Sequence, residues 1–127
     1  MSISHLRPLG RRKVALLATY RRNGTAVRTP VSIVVDGDTA YIRTFGHTGK
    51  AKRIRRNNDV LVAPATFRGK PLGPEIRANA WLLNGDAARQ ASRRISRRSP
   101  LLEGLIVPLV ARLRNYVMLH YALAPRD

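Results

Sequence analysis

The sequence lacks cysteine altogether and is poor in acidic and aromatic residues. Without cysteine, neither a disulfide framework nor a thiolate metal site can form. Only seven of the 127 residues are Asp or Glu, so catalysis by paired carboxylates has few groups to draw on. The longest apolar run, 105–111, is far shorter than the roughly 18 residues of a membrane span. The polar N-terminus does not resemble a signal peptide. We therefore expect a cytoplasmic protein.

Positive charge is what the chain has in excess. Its 24 Lys and Arg residues give a net charge of +17. Such a charge attracts nucleic acid, an acidic cofactor or an anionic membrane, or it reflects an Arg-rich composition without a dedicated partner. The basic residues are spread along the chain rather than gathered in one tail, and aromatic residues for base stacking are few. A specific nucleic-acid partner is therefore the least favoured of these interpretations.

The apolar patterns predict one domain, residues 1–127, that is mainly β. Asn23-Gly24 and Asp36-Gly37 predict two hairpins. Pro30 falls inside the second strand, where it requires a sheet edge or a bulge. Helices are predicted only in connections, which favours a small antiparallel barrel with helices packed outside. The six predicted strands are 14–22, 25–35, 39–45, 60–65, 75–83 and 116–124.

Helical segments are predicted between these strands. Residues 4–13 suggest a short helix or turn, and 48–57 a basic helix that buries Ala51 and Ile54. Asp86 begins the next helix. Residues 101–113 form an apolar segment that Pro108 should break or kink. A core helix is the favoured interpretation of this segment, with a surface helix, a membrane-facing patch and a dimer interface as alternatives.

The start of the basic helix is the candidate binding site. Thr48 is a suitable N-cap, and Lys50 and Arg53 lie three apart on one face, near free backbone amides that favour anions. Lys52 forms a similar pair with Arg55 on a neighbouring face. The alternative is an ordinary solvated basic helix. His47 is interpreted as a polar loop residue, and the scattered histidines predict no metal site, so a bound cofactor would have to carry any reaction.

Residues from about 12 to 98 resemble the split-barrel flavin and deazaflavin reductases, relatives of the pyridoxamine 5′-phosphate oxidases. The resemblance rests on the order and spacing of TYRRNG, TPVSIVVDGD, GKAKRIRRN, APATFRG and a strand ending in AWLL. Within that family, the chain is most similar to the branch that uses the deazaflavin coenzyme F420.

The resemblance implies a homodimeric, six-stranded split barrel that holds its cofactor between subunits and transfers a hydride to or from a small electron-poor substrate. Membrane association is less favoured, and no catalytic side chain is implied. Binding of FMN is the first alternative, and a basic nucleic-acid-binding barrel without catalysis is the second. The implied cofactor-binding residues are Lys50, Arg53 and Lys52 with Thr48 for the phosphate, Arg43 and Thr44 for the phosphate and ribityl region, Thr29, Pro30 and Val31 beside the ring, and Arg68 and Trp81 from the partner subunit.

Overall fold

The computed structural model describes residues 6, 8–10, 12–98 and 105–126. Over this part of the chain, the order of elements agrees with the pattern expected from the sequence. The strands are β1 (Val14–Tyr20), β2 (Ala26–Asp36), β3 (Thr39–Phe45), β4 (Asp59–Pro64), β5 (Ile76–Leu82) and β6 (Met118–Pro125). The helices are α1 (Gly49–Arg56), α2 (Gly85–Arg98) and α3 (Val107–Arg114).

The six strands form one closed antiparallel barrel in the order β1-β2-β3-β6-β5-β4. Pairing of β1 with β4 closes it, and this confirms the predicted mainly-β barrel with three flanking helices. Pro30 lies on a local edge, as its missing N–H requires. It pairs with Leu16 of β1 on one side, whereas pairing with β3 begins only at Ser32.

The core fills the barrel with side chains from all six strands and from the segments at its two ends. Its members include Leu17, Ile33, Ile42, Val62 and Leu123. Helix α1 joins the end of β3 to the start of β4, so it lies across that end of the barrel and inserts Ile54 into the core. Two leucines of the N-terminal segment, which precedes β1, enter the core as well; they are Leu6 and Leu9.

Helix α1 is defined by its caps. The Thr48 side chain accepts a hydrogen bond from the Ala51 amide, and the helix ends at Asn57, whose amide donates to the Arg53 carbonyl. Ala51 and Ile54 are the buried residues of α1, as the sequence predicts. The basic side chains are thereby left on the faces that point away from the core.

Helix α3 differs from its sequence-based interpretation. Pro108 does not break it, because it lies in the first turn, where the missing N–H has no intrahelical partner to lose. The helix is not a core helix of this chain either, since Ala111 is its buried residue and Leu113 is 75% exposed. Residues 101–104 lie outside the described part of the chain.

Helix α2 is fastened to the barrel through a buried arginine. The Arg43 side chain, 6% exposed, donates from Nη2 to Ser92 Oγ at 2.7 Å and to Ser96 Oγ at 3.4 Å. Its Nε donates to His120 Nε2 at 3.1 Å. His120 must be unprotonated at Nε2 to accept this bond. Burial and the neighbouring Arg43 lower the pKa of His120 to about 4.

We predict that His120 makes the fold less stable at mildly acidic pH. Below pH 6.5 His120 is protonated in the unfolded chain, whereas in the folded chain it stays neutral down to about pH 4. Stability should therefore fall as pH falls through this window, by on the order of 2 kcal/mol for this partly exposed group. Urea unfolding at pH 7 and pH 4.5 measures the loss.

The matched variant is His120→Gln, whose amide oxygen can accept the Arg43 bond but does not titrate. Its unfolding free energy should change less between the two pH values than that of the wild type, because the carboxylates contribute equally to both proteins. Identical losses in the two proteins would contradict this role for His120.

Candidate functional site

A cleft of about 220 Å³ opens where β2 and β3 meet the starts of α1 and α3. The cleft exists because β2 continues past its pairing with β3: the ladder ends at the Ser32–Arg43 pair, and the strands separate beyond it. Backbone groups of β2 on that side lack strand partners. The residues that line the cleft are Pro30, Val31, Ser32, Arg43, Thr44, Phe45, Lys50 and Val107.

Lys50 is the cation of the cleft lining whose charged group is left for a ligand, since the Arg43 guanidinium is bonded to His120 and α2. Its side chain is partly buried, and within the described chain it forms no ion pair and no hydrogen bond. Desolvation and the neighbouring Arg53 lower the pKa of Lys50. A lowered pKa means that this environment disfavours the ammonium form, and a bound anion would relieve that cost. The ion pairs of the described chain lie elsewhere; they are Arg28–Glu75, Arg89–Asp86, Arg94–Asp36 and Arg126–Asp59.

Arg53 is held beside Lys50 by a buried hydroxyl. Its Nε donates to Thr19 Oγ1 at 2.7 Å, and the guanidinium lies against the first turn of α1. Glycine at position 49 makes this approach possible, because a Cβ there would lie only 2.7 Å from Arg53 Nη1. Burial and the charges of Arg21 and Arg56 lower the pKa of Arg53. Lys50 and Arg53 therefore share one face, as their spacing predicts.

Two threonine hydroxyls connect the cleft floor to the helix start. Thr44 Oγ1 and Thr48 Oγ1 are 3.4 Å apart, and Thr48 Oγ1 donates to the Phe45 carbonyl at 2.8 Å. The backbone N–H groups of Gly49 and Lys50 have no acceptor in the described chain. Two amides, an ammonium group and a guanidinium therefore converge on the start of α1, which is the donor set that a phosphate group needs.

The structure brings together five of the predicted site residues in the cleft lining: Pro30, Val31, Arg43, Thr44 and Lys50. The guanidinium of Arg43, however, is engaged with α2 and His120, so this residue shapes the cleft wall. Lys52 is exposed on another face of α1. The lining residues that the sequence analysis missed are Ser32, Phe45 and Val107; the first two are neighbours of predicted residues, whereas Val107 has no sequence signal.

The two residues assigned to a partner subunit lie apart from each other. Trp81 is on β5 and is 44% exposed, which excludes a core role within this chain. Arg68 is exposed in the turn after β4. That turn also includes Gly69, which lies next to Pro30 in the cleft wall of the same chain. A Cβ added to Gly69 would be 3.6 Å from the Pro30 ring. Thr29, next to Pro30, is partly buried but does not line the cleft.

Two further observations concern other classes of site. His47 lies in the loop between β3 and α1 with its ring 4.2 Å from that of Tyr116, centroid to centroid, and the described residues contain no group of three or more potential metal ligands. None of the helices in the described ranges has the length and apolar character of a membrane span.

No protein-family model matches the chain, and no curated protein sequence matches it. Solved structures do match over almost the whole chain. A candidate pyridoxamine 5′-phosphate oxidase from Listeria innocua superposes with a TM-score of 0.67 at 17% identity, covering 99% of this chain and 94% of that one. The fold is the split β-barrel. An F420 reductase gives a TM-score of 0.60 at 15% identity, covering 96% of this chain and 93% of that one.

Proteins with this barrel differ in what they bind. The heme storage protein HutZ of Vibrio cholerae matches with a TM-score of 0.70 at 16% identity, covering 91% of this chain and 83% of that one. Identities this low establish the common fold alone. The ligand of this protein must therefore be argued from the residues of its own cleft.

We predict that Gly49→Ala weakens phosphate binding without unfolding the protein. The new methyl group would displace the Arg53 guanidinium, which is the flexible end of a long side chain, so the fold should tolerate it. Affinity for inorganic pyrophosphate, measured by calorimetry, should fall about threefold to tenfold, less than for complete loss of a charged contact, because the displaced guanidinium keeps its charge nearby. Lys52→Ala is the control. Equal losses in the two variants would show that only diffuse charge attracts the anion.

Proposed function

We propose that this protein is an oxidoreductase that binds a flavin-type cofactor in the Lys50 cleft, with coenzyme F420 as the first candidate and FMN as the alternative. The observation that carries the proposal is a partly buried Lys50, without a partner among the described residues, in a cleft whose opposite wall is unpaired strand. The cleft thus offers a phosphate site and a flat, hydrogen-bonding wall within the same small space.

The residues present fit the two ends of such a cofactor. Lys50, Arg53 and the amides at the start of α1 would hold the phosphate. The edge of β2 around Val31 would meet the polar edge of a flat ring, and Pro30 keeps one position there free of a donor. Thr44 and Ser32 lie between these ends and offer hydroxyls to a polar linker.

The chemistry at this site would be hydride transfer, which the cofactor supplies when bound. The chain's own part would be to bind and to orient: the cations fix the phosphate, and the wall of β2 fixes the plane of the ring. Burial of Lys50 makes each such contact stronger than it would be at an open surface.

Charge favours F420 over FMN as the first candidate. Arg21 and Arg56 lie close enough to Arg53 to lower its pKa, so positive charge extends beyond the phosphate site. Such a surface suits a cofactor with an acidic tail. Heme is not supported, because the lining residues that the structure describes include no His, Cys, Met or Tyr to act as an axial ligand.

We also propose that the protein functions as a homodimer. A cleft of 220 Å³ is smaller than the roughly 300–1,000 Å³ of sites that enclose a drug-sized ligand, so one subunit covers only part of the cofactor. Val107 of α3 lines the cleft, and the apolar side chains on either side of it in the sequence are exposed. A second copy of the chain seated on α3 would bury them and complete the site. The exposed side chains of this region are Leu105, Ile106, Leu109, Val110, Leu113 and Val117.

The first test measures cofactor affinity in a Lys50→Ala variant. A hydrogen bond to a charged group contributes about 1.5–3 kcal/mol to binding, so its loss should lower the affinity for F420 roughly tenfold to a hundredfold. Fluorescence titration measures this affinity. FMN is titrated in parallel, and the cofactor with the higher affinity is assigned.

Lys52→Ala is the matched control, because it removes the same charge from an exposed face of the same helix. It should lose much less affinity than Lys50→Ala.

Nucleic acid is the second candidate partner, supported by a groove on α2. The groove is lined by Gln90, Arg93, Arg94 and Arg97. Negligible affinity for both cofactors beside salt-resistant binding of single-stranded DNA would overturn the oxidoreductase proposal.

The dimer proposal predicts that Leu113→Glu produces a monomer. Leu113 is 75% exposed in the single chain, so the substitution should not disturb the subunit's own core. Sedimentation at micromolar concentration should give a dimer for the wild type and a monomer for the variant, with weaker cofactor binding. Arg114→Gln, a polar change nearby, should leave the dimer intact. A monomeric wild type in the presence of cofactor contradicts the proposal.

A further inference from the structure

A second cavity, of about 450 Å³, lies at the start of β1 and the end of β4. Its residues combine two cations, a hydroxyl, an apolar floor and an exposed aromatic ring. The sequence analysis assigned no role to this combination. The lining residues are Arg12, Lys13, Val14, Ala65, Thr66 and Phe67.

This cavity adjoins the Lys50 cleft. Val14 of the cavity is the cross-strand partner of Ser32 of the cleft, and side chains of directly paired residues point to the same face of a sheet, about 5 Å apart. The turn after Ala65 passes beside Pro30, which also lines the cleft. A Cβ on Gly69 in this turn would lie 3.6 Å from the Pro30 ring. Two neighbouring strands therefore carry the two cavities side by side.

The turn that carries Phe67 is fixed by its own hydrogen bonds. The Thr66 amide donates to the Lys70 carbonyl at 2.9 Å, and the Gly69 amide donates to the Thr66 carbonyl at 2.9 Å. The Lys70 amide donates to Thr66 Oγ1 at 3.1 Å, which leaves the hydroxyl proton of Thr66 available. Phe67 is nevertheless 72% exposed. A rigid turn that presents an uncovered aromatic ring is suited to stacking with a flat ligand.

The charges of the cavity select an anion. The side chains of Arg12 and Lys13 form no ion pair in the described chain, and none of the described residues that line the cavity is acidic. Val14 and Ala65 provide an apolar surface between these cations and Phe67. A ligand that satisfies all of these groups is flat and mostly apolar and carries one acidic group at an end.

We infer that this cavity binds an aromatic or similarly flat carboxylate as the second reactant, beside the cofactor. Its carboxylate would bind Arg12 and Lys13, and its ring would lie against Phe67. The role as reactant rests on the proposed oxidoreductase function, whereas the binding site itself stands on the cavity and its residues.

The experiment compares two probes of the same shape, naphthalene-2-carboxylate and the neutral naphthalene-2-carboxamide, by calorimetric titration of the full chain. The carboxylate should bind more tightly to the wild type. A double variant, Arg12→Gln with Lys13→Gln, should weaken carboxylate binding about tenfold and carboxamide binding little. Phe67→Ala should weaken both probes by a similar factor. All three side chains are exposed, so the variants should fold.

Two controls locate the binding. Arg22→Gln with Arg77→Gln removes two exposed cations elsewhere, and Leu82→Ser removes an exposed apolar side chain of β5. Neither should change the affinity for naphthalene-2-carboxylate. Equal losses in the two double variants, or loss of binding in Leu82→Ser, would overturn the assignment of the cavity, as would no detectable binding of the carboxylate at millimolar concentration.

Cofactor titration of the same variants separates this inference from the proposed function. Affinities for F420 and FMN should stay within about twofold of the wild type. If the probes behave as expected but neither cofactor binds the wild type, the binding site stands and its role as reactant site is overturned. If a cofactor binds but the carboxylate does not, the inference fails and the proposed function remains.

Discussion

Closure of the sheet by the pairing of β1 with β4 is the constraint on which the rest of the structure depends. A closed barrel leaves strand backbone unpaired only where neighbouring strands differ in length or separate. In this protein that happens where β2 runs past the end of its pairing with β3 at Ser32. The Lys50 cleft forms at this place, and Pro30 is tolerated there for the same reason. The proposed binding site is thus a consequence of how the barrel closes.

Positive charge at the start of α1 would make the Lys50 cleft selective for an anionic ligand. Acidic residues are few, and the ion pairs of the described chain lie away from α1, so the cations at the start of α1 are left to act on a ligand. Burial and the neighbouring Arg53 lower the pKa of Lys50, whereas burial and the charges of Arg21 and Arg56 lower the pKa of Arg53. The net charge of the chain is +17, but these two side chains are distinguished by their position at the start of α1.

The two cavities lie on one face of the sheet but are lined by different chemical groups. The Lys50 cleft combines the proposed phosphate site with unpaired strand backbone, whereas the neighbouring cavity combines cations with an apolar floor and Phe67. Val14 and Ser32, which face each other across β1 and β2, join the two. An enzyme that brings two reactants into contact needs such an arrangement, because proximity and orientation lower the barrier without any reactive side chain.

The sequence alone determined the elements of this fold. Alternating apolar residues predicted the strands, Asn23-Gly24 and Asp36-Gly37 predicted the hairpins, and Thr48 predicted the start of α1, because each of these signals acts over a few neighbouring residues. The pairing of Lys50 with Arg53 on one face was equally local. The tertiary structure decided what depends on distant residues. It directs the Arg43 guanidinium to α2, leaves α3 exposed and brings Val107 and the Phe67 turn to the two cavities. No local pattern encodes these contacts, since they arise only when the barrel closes.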